Sequence, residues 1–144
     1  MWWGRRPAPA IMLHTPTGPD ESPAMLDKSD INRPLTALAG VLGAAGVALA
    51  ARATHAAESE LQIAANFLLL HAPVLLGISL LKANRLTQIA GFVLVAGLLL
   101  FCGDLAMRSE AGTPLFRLAA PVGGVGLIAG WLLLAVSAFM GWKR

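Results

Sequence analysis

The sequence predicts an all-α protein: a four-helix transmembrane bundle preceded by a disordered N-terminal tail. Two observations support this fold class. Of the 144 residues, 56% are hydrophobic and only 13% are charged, whereas a soluble domain carries about a quarter charged residues. After residue 34, the apolar residues form four continuous runs that are bounded by charged residues. Continuous runs rich in Ala and Leu favour helices over the alternating pattern of membrane strands.

Residues 1–34 form the predicted tail. Six of the nine prolines of the chain lie in it, among scattered charges and without apolar periodicity, which is typical of a disordered segment. Prolines also interrupt the stretch that follows Arg5 and Arg6, so the tail lacks the continuous apolar core of a signal peptide.

The start of the chain has two interpretations. Met25 lies shortly before the first apolar run. In one interpretation, translation starts at Met25 and not at Met1, and residues 1–24 are dispensable. In the other interpretation, the basic and aromatic residues near Met1 anchor the chain weakly at the membrane surface, because Trp and Arg suit the headgroup region.

Residues 35–142 form the predicted transmembrane domain. A helix needs about 20 residues to cross a hydrocarbon layer of about 30 Å. The four predicted helices lie at about 35–51, 61–81, 86–107 and 118–142. The first is short and the other three reach this length. The connections between them are short, so consecutive helices are expected to be antiparallel neighbours.

Lys and Arg are distributed unequally over the two predicted sides. With the N-terminus inside, eight of the eleven lie on the inner side, and Arg52, Arg108 and Arg117 lie on the outer side. This bias predicts that both termini of a multi-pass membrane protein are cytoplasmic. The basic residues lie singly or in pairs at the ends of apolar runs, so the expected partners are membrane lipids and not nucleic acid.

The fourth predicted helix carries a stripe of small residues that includes Gly123, Gly126 and Gly130. Glycine lets membrane helices approach closely where lipid supplies no hydrophobic drive for association. The stripe indicates either packing inside the bundle or a face for another membrane protein or a second copy of the chain. The first predicted helix is also rich in Gly and Ala, so we expect helices one and four to touch.

His71 lies at the middle of the second predicted helix, where ionisable side chains are costly and often functional. One interpretation is a neutral imidazole that bonds to another helix or to the carbonyl of Leu69, which Pro73 leaves without its helical donor. The other is a proton relay or ligand. Asn66 lies on a different face of the same helix, which suggests protein contacts on both sides.

Asp104 lies near the end of the third predicted helix, on the face that also carries Ala90 and Gly97. We therefore expect the carboxylate to point into the bundle. Arg108 follows one turn later, which indicates an ion pair, and Asn66 lies at a similar depth as a second candidate donor. A structural role and ion or proton handling are the two alternatives for this carboxylate.

Signatures of soluble catalytic chemistry are absent from the sequence. It has no phosphate-binding loop, dinucleotide fingerprint or nucleophile elbow. The single cysteine, Cys102, excludes an intrachain disulfide, and the histidines His14, His55 and His71 are dispersed. We therefore expect no cofactor, no metal and no enzymatic activity.

Two functional hypotheses follow. The first is a non-enzymatic accessory or structural membrane component. The alternative is a protein that handles protons, ions or small solutes along a path of Asp104, Asn66 and His71.

Four segments resemble the motifs of one family. Residues 121–125 and 130–131, PVGGV and GW, are similar to a TPxGG…AGW motif, and residues 101–105, FCGDL, are similar to FSGSL. Residues 47–55 resemble VALGAFGAH, and residues 67–71 resemble YQxFH. The chain thus resembles the bacterial domain-of-unknown-function 423 family of small multi-pass membrane proteins, which has a eukaryotic relative, transmembrane protein 256. The resemblance places His55 and His71 on two family histidines and Asp104 where a serine is usual. It implies a membrane fold in a bacterial inner membrane, without a known activity.

Overall fold

The structure is a computed structural model that describes residues 31–56, 59–81 and 84–140. These residues form four helices and contain no strand, which confirms the predicted fold class. The helices are α1 (Arg33–Ala56), α2 (Ser59–Leu80), α3 (Arg85–Ala111) and α4 (Ala119–Met140). Residues 1–30 of the predicted tail, and residues 141–142 of the predicted fourth helix, lie outside the described residues.

Two of the helices are longer than the apolar runs that predicted them. α1 continues past residue 51 through Arg52 and His55, and α3 continues past residue 107 through Arg108 to Ala111. An apolar run marks only the part of a helix that suits hydrocarbon, whereas the helix itself continues through polar residues at its end.

All four helices are long and apolar enough to cross a bilayer. The shortest has 22 residues, which corresponds to about 33 Å at 1.5 Å per residue. The most apolar window of each helix has a mean hydropathy between 1.8 and 2.3. The chain is accordingly a multi-pass membrane protein.

Asparagine side chains begin α1 and α3. Oδ1 of Asn32 accepts the backbone N–H of Leu35 over 3.1 Å, and Oδ1 of Asn84 accepts that of Thr87 over 2.9 Å. Each bond satisfies a backbone donor that the first helical turn leaves without a partner. Gly112 ends α3 in the left-handed conformation, with φ 67°, which glycine adopts without steric cost.

Helices that are consecutive in the chain pack side by side, in the order α1, α2, α3, α4. α1 also touches α3, where Leu35 lies against Gly91. The backbones of α1 and α4 do not contact each other, so the prediction that these two helices pack closely against each other is wrong. The small residues of α1 pack against α2, where Gly43 lies against Ala72. The glycines of α4 pack against α3.

The core is an apolar cluster shared by all four helices. Four of its leucines are fully buried: Leu35, Leu75, Leu94 and Leu98. We call the end of the bundle that carries the asparagine caps Asn32 and Asn84 the Asn-cap end. We call the opposite end, where α3 carries Asp104, the Asp104 end.

Candidate functional site

His71 lies buried in the middle of α2, with 3% of its surface exposed. Its Nδ1 lies 2.7 Å from the backbone oxygen of Phe67, one turn earlier in the same helix. Its Nε2 lies 3.3 Å from Nε1 of Trp131 on α4. Both ring nitrogens therefore have a partner inside the protein.

These two partners define the protonation state of the His71 ring. A carbonyl oxygen can only accept, so Nδ1 carries the hydrogen and donates to Phe67. The indole N–H of Trp131 can only donate, so Nε2 is unprotonated and accepts. The geometry thus corresponds to a neutral imidazole that is hydrogen-bonded to another helix.

The expected bond to the freed carbonyl of Leu69 is not formed. Proline removes the helical donor of the residue four positions before it, and Pro73 has this relation to Leu69. The ring of His71 instead reaches back to Phe67, its own i−4 residue, because a helical side chain points toward the N-terminus of its helix.

Aromatic rings surround His71 and connect it to α3. The rings of Phe67 and His71 stack with centroids 5.8 Å apart, and the ring of Trp131 meets His71 edge-on at 6.0 Å. Phe67 also contacts Phe101 of α3, with centroids 4.7 Å apart. The imidazole thus lies in an aromatic cluster that joins α2, α3 and α4.

Asp104 is fully buried and points into the bundle, as predicted from its position on the face of Ala90 and Gly97. Oδ2 accepts Nε of Arg108 over 2.7 Å, which confirms the i+4 ion pair. Oδ1 accepts the backbone N–H of Leu115 over 2.7 Å. Leu115 lies in the connection between α3 and α4, so the carboxylate holds this connection against the end of α3.

Two other candidate residues lie away from these groups. The side chain of Asn66 is exposed and accepts a hydrogen bond from Gln62 over 3.1 Å. The bonds to Asp104 come from Arg108 and Leu115, so the expected hydrogen bond from Asn66 is not formed. His55 is exposed in the last turn of α1. The structure therefore does not assemble Asn66, His71 and Asp104 into one cluster.

The glycine stripe of α4 packs inside the bundle, against α3. A Cβ atom added at Gly123 would lie 2.5 Å from the backbone nitrogen of Phe101, and one at Gly126 would lie 3.2 Å from Cα of Gly97. A Cβ atom at Gly130 would lie 2.7 Å from the side chain of Leu94. Of the two interpretations of this stripe, the structure supports intramolecular packing.

Two hydroxyl pairs at the Asn-cap end were not identified from the sequence. Oγ1 of Thr36 on α1 donates to Oγ of Ser79 on α2 over 3.0 Å. Oγ1 of Thr87 on α3 donates to Oγ of Ser137 on α4 over 3.0 Å. Each serine then donates to a backbone oxygen one turn earlier in its own helix, over 2.7 Å. Each pair ties the beginning of one helix to the end of the next.

Side chains of the two asparagine caps extend this polar layer. Asn32 donates to Oε1 of Gln88 on α3, and Asn84 donates to the backbone oxygen of Ser137 over 3.2 Å. A sequence signal for the layer exists: residues 32–36 read NRPLT, and residues 84–87 read NRLT.

The buried polar side chains of the described residues thus find their hydrogen-bond partners inside the protein. Among the described residues, no buried side-chain nitrogen or oxygen lacks a hydrogen-bond partner. Sγ of Cys102 lies buried, 3.5 Å from the backbone oxygen of Ala64. Within the same part of the chain, no group of three or more His, Cys, Asp or Glu residues is placed to hold a metal ion.

Comparison with known proteins identifies the family. No solved structure matches the chain. Residues 39–124, which make up more than half of the chain, match the family described as "Protein of unknown function (DUF423)". This range includes His55, His71, Asp104 and the beginning of the glycine stripe. The match agrees with the resemblance of the sequence motifs, and the chain belongs to the DUF423 family.

Proposed function

We propose that the protein is a non-enzymatic accessory or structural component of a membrane. The observation that carries this proposal is the bonding of His71 and Asp104. Both are buried at positions where polar groups are costly in a membrane protein. Both bonds of His71 go to Phe67 and Trp131, and the two oxygens of Asp104 accept Arg108 and Leu115.

Such bonding favours a structural role for these side chains. A group that relays a proton or binds a solute needs a bonding direction open to it in at least one state. The partners of His71 and Asp104 instead join helices or hold a connection in place. A surface groove near the Asn-cap end is lined by Arg85, Ile89 and Met140, among others, and includes neither His71 nor Asp104.

The outer surface is suited to contact with lipid or with other membrane proteins. Each helix exposes large apolar side chains, among them Val41, Leu70, Phe92 and Phe139, and Phe139 has 83% of its surface exposed. We propose that both termini lie in the cytoplasm, because the Lys and Arg bias favours this orientation. We also propose a bacterial inner membrane, because the sequence motifs resemble those of a bacterial family.

The proposal is tested by recovering the chain from its native membrane. An affinity-tagged full chain, expressed at its natural level and extracted with a mild detergent, should co-purify with one reproducible membrane-protein partner. The control is the same tag on an unrelated multi-pass protein of the same membrane, which should not recover that partner. Recovery of the chain with no partner other than itself, in repeated preparations, would contradict the accessory role.

A further inference from the structure

The four described helices form two similar helical hairpins, α1–α2 and α3–α4. Their hydroxyl pairs correspond: Thr36 with Ser79 in the first hairpin, and Thr87 with Ser137 in the second. Thr36 and Thr87 follow the related segments NRPLT and NRLT. Both hairpins are therefore tied at the same place by the same chemistry.

The closest packing inside the hairpins repeats with the same register. A Cβ atom at Gly46 of α1 would meet Leu68 and Leu69 of α2, and one at Gly97 of α3 would meet Gly126 and Leu127 of α4. Gly46 of α1 and Gly97 of α3 have the same separation along the chain as Thr36 and Thr87. Leu68 of α2 and Gly126 of α4 have the same separation along the chain as Ser79 and Ser137. The same separation relates Leu69 to Leu127.

A third contact obeys the same correspondence. Gly43 of α1 lies against Ala72 of α2, and their equivalents Leu94 of α3 and Gly130 of α4 also lie against each other. Three contacts in one register show that the hairpins are copies of one packing unit. A surface that is covered in one copy is therefore informative about the equivalent surface of the other.

The two hairpins pack through α2 and α3. Ile78 of α2 lies against Gly91 of α3, where an added Cβ would be 3.3 Å from the Ile78 side chain. Ala64 accepts the thiol of Cys102 over 3.5 Å. Gly91 and Cys102 lie on one stripe of α3 together with Val95 and Leu98, and all four residues are buried.

The equivalent stripe of α1 is bare. It consists of Gly40, Ala44, Val47 and Ala51, and all four are exposed. Nothing lies within 4 Å of a Cβ atom added at Gly40, whereas its equivalent Gly91 is packed. We call this stripe the α1 face.

The surface of α4 that corresponds to the α3-facing side of α2 is also bare. Val122, Val125 and Val136 are the equivalents of Ala64, Phe67 and Ile78, and they are 50%, 66% and 50% exposed. We call these three valines the α4 face. The α1 face and the α4 face lie on helices whose backbones do not contact each other within the chain.

We propose that a second copy of the chain covers these faces, with the α4 face of one copy packed on the α1 face of the next. This contact between two copies repeats the arrangement of the α2–α3 contact within one chain. It places Val136 on Gly40 and Val122 on Ala51. α4 and α1 are antiparallel, as α2 and α3 are, so both copies have the same orientation in the membrane. Such a head-to-tail contact forms a ring if the rotation between copies closes, and the smallest ring has two copies.

The proposal is independent of the accessory role, since a self-assembled chain keeps the rest of its surface for other partners. Small residues on the α1 face suit it to a helix contact, because membrane helices associate by close van der Waals packing. Valine on the α4 face loses little side-chain freedom on packing, because it is β-branched.

The test is disulfide cross-linking in the native membrane. Two full-length chains with different tags are co-expressed in a Cys102→Ser background, one carrying Gly40→Cys and the other Val136→Cys. Under mild oxidation, the proposed contact should produce a covalent dimer that contains both tags and disappears on reduction. The matched control pair is Val41→Cys with Ala135→Cys. Both positions are exposed, lie at the same depth and point about 100° around their helices from Gly40 and Val136. This pair should remain monomeric.

Each other outcome overturns the proposal. No mixed-tag dimer from Gly40→Cys and Val136→Cys means that no second copy covers the two faces. Equal cross-linking of the control pair means that the contact is collisional. A third sample is a single chain that carries both Gly40→Cys and Val136→Cys. If it forms only an internal disulfide, α1 and α4 of one copy contact each other.

Discussion

The indole N–H of Trp131 on α4 donates to Nε2 of His71 on α2 over 3.3 Å. The backbones of these two helices do not contact each other, so this bond ties together elements that are otherwise joined through α3. It also requires a neutral imidazole, because a doubly protonated ring offers no acceptor to the indole.

Removal of the indole donor is expected to destabilise the bundle. Trp131→Phe keeps an aromatic ring and leaves Nε2 of His71 without a partner. Hydrogen bonds between membrane helices contribute about 0.6 kcal/mol on average, and about 1.7 kcal/mol at most, so we expect a loss in this range. The free energy of unfolding in mixed micelles measures it.

A double-mutant cycle separates this bond from the packing of the Trp131 ring. In a His71→Phe background, Trp131→Phe should cost less than in the natural background, and the difference is the coupling energy. Phe139→Leu, at a residue that is 83% exposed, is the control and should cost little. An equal cost of Trp131→Phe in both backgrounds would contradict the role of the bond.

Loss of the Asp104 carboxylate is expected to release the connection between α3 and α4. Asp104→Ala leaves the backbone N–H of Leu115 without an acceptor, which costs about 1–3 kcal/mol if the group stays buried. Asp104→Asn keeps an oxygen that can accept this N–H, so it should be milder. Trypsin should cut at Arg117, in this connection, faster in the alanine variant than in the natural protein.

The control for Asp104 is the exposed ion pair between Arg52 and Glu110, whose atoms lie 2.5 Å apart. Exposed pairs contribute little to stability, so Glu110→Ala should leave cleavage at Arg117 nearly unchanged. Equal cleavage rates for Asp104→Ala and the natural protein would show that the carboxylate does not hold the connection.

Substitution of Gly123 should separate α3 from α4. The Cβ atom of Gly123→Ala would lie 2.5 Å from a backbone nitrogen of α3, so the helices must move apart, and overpacking costs about 1–3 kcal/mol. The neighbouring Gly124 has open space around it, and Gly124→Ala should stabilise the helix by up to about 1 kcal/mol. Melting temperatures in detergent compare the two variants, and a similar change for both would contradict the close contact at Gly123.

The orientation in the membrane is tested by cysteine labelling in a Cys102→Ser background. Leu81→Cys lies in the connection between α2 and α3, and Thr113→Cys lies in the connection between α3 and α4; both positions are exposed. If both termini are cytoplasmic, an impermeant thiol reagent should label the cysteine at 113 in intact cells. It should label the cysteine at 81 only after permeabilisation. The reverse pattern would show that the Lys and Arg bias is misleading here.

The helices and the Asp104–Arg108 pair could be predicted from the sequence because they depend on local patterns. A continuous apolar run specifies a membrane helix, and residues one turn apart on a helix are neighbours whatever the rest of the fold does. The ends of α1 and α3 could not be placed as well, because polar residues extend a helix beyond its apolar run.

Contacts between helices depend on rotation and order, which an apolar pattern does not determine. Small residues on both α1 and α4 indicated close packing. They did not indicate that each of these helices packs through them against its neighbour in the chain. Trp131 was not identified as the partner of His71 for the same reason. The related segments that begin α1 and α3 do carry non-local information, since a repeated cap predicts a repeated hairpin.

We propose that His71 and Asp104 hold the bundle together and do not line a path across the membrane. The most direct test measures proton and sodium gradients across liposomes that contain the purified protein. We expect these liposomes to keep each gradient as long as protein-free liposomes do. We also expect His71→Ala and Asp104→Asn to change the stability of the protein but not the leakage. A faster decay with the natural protein, abolished by either substitution, would contradict it.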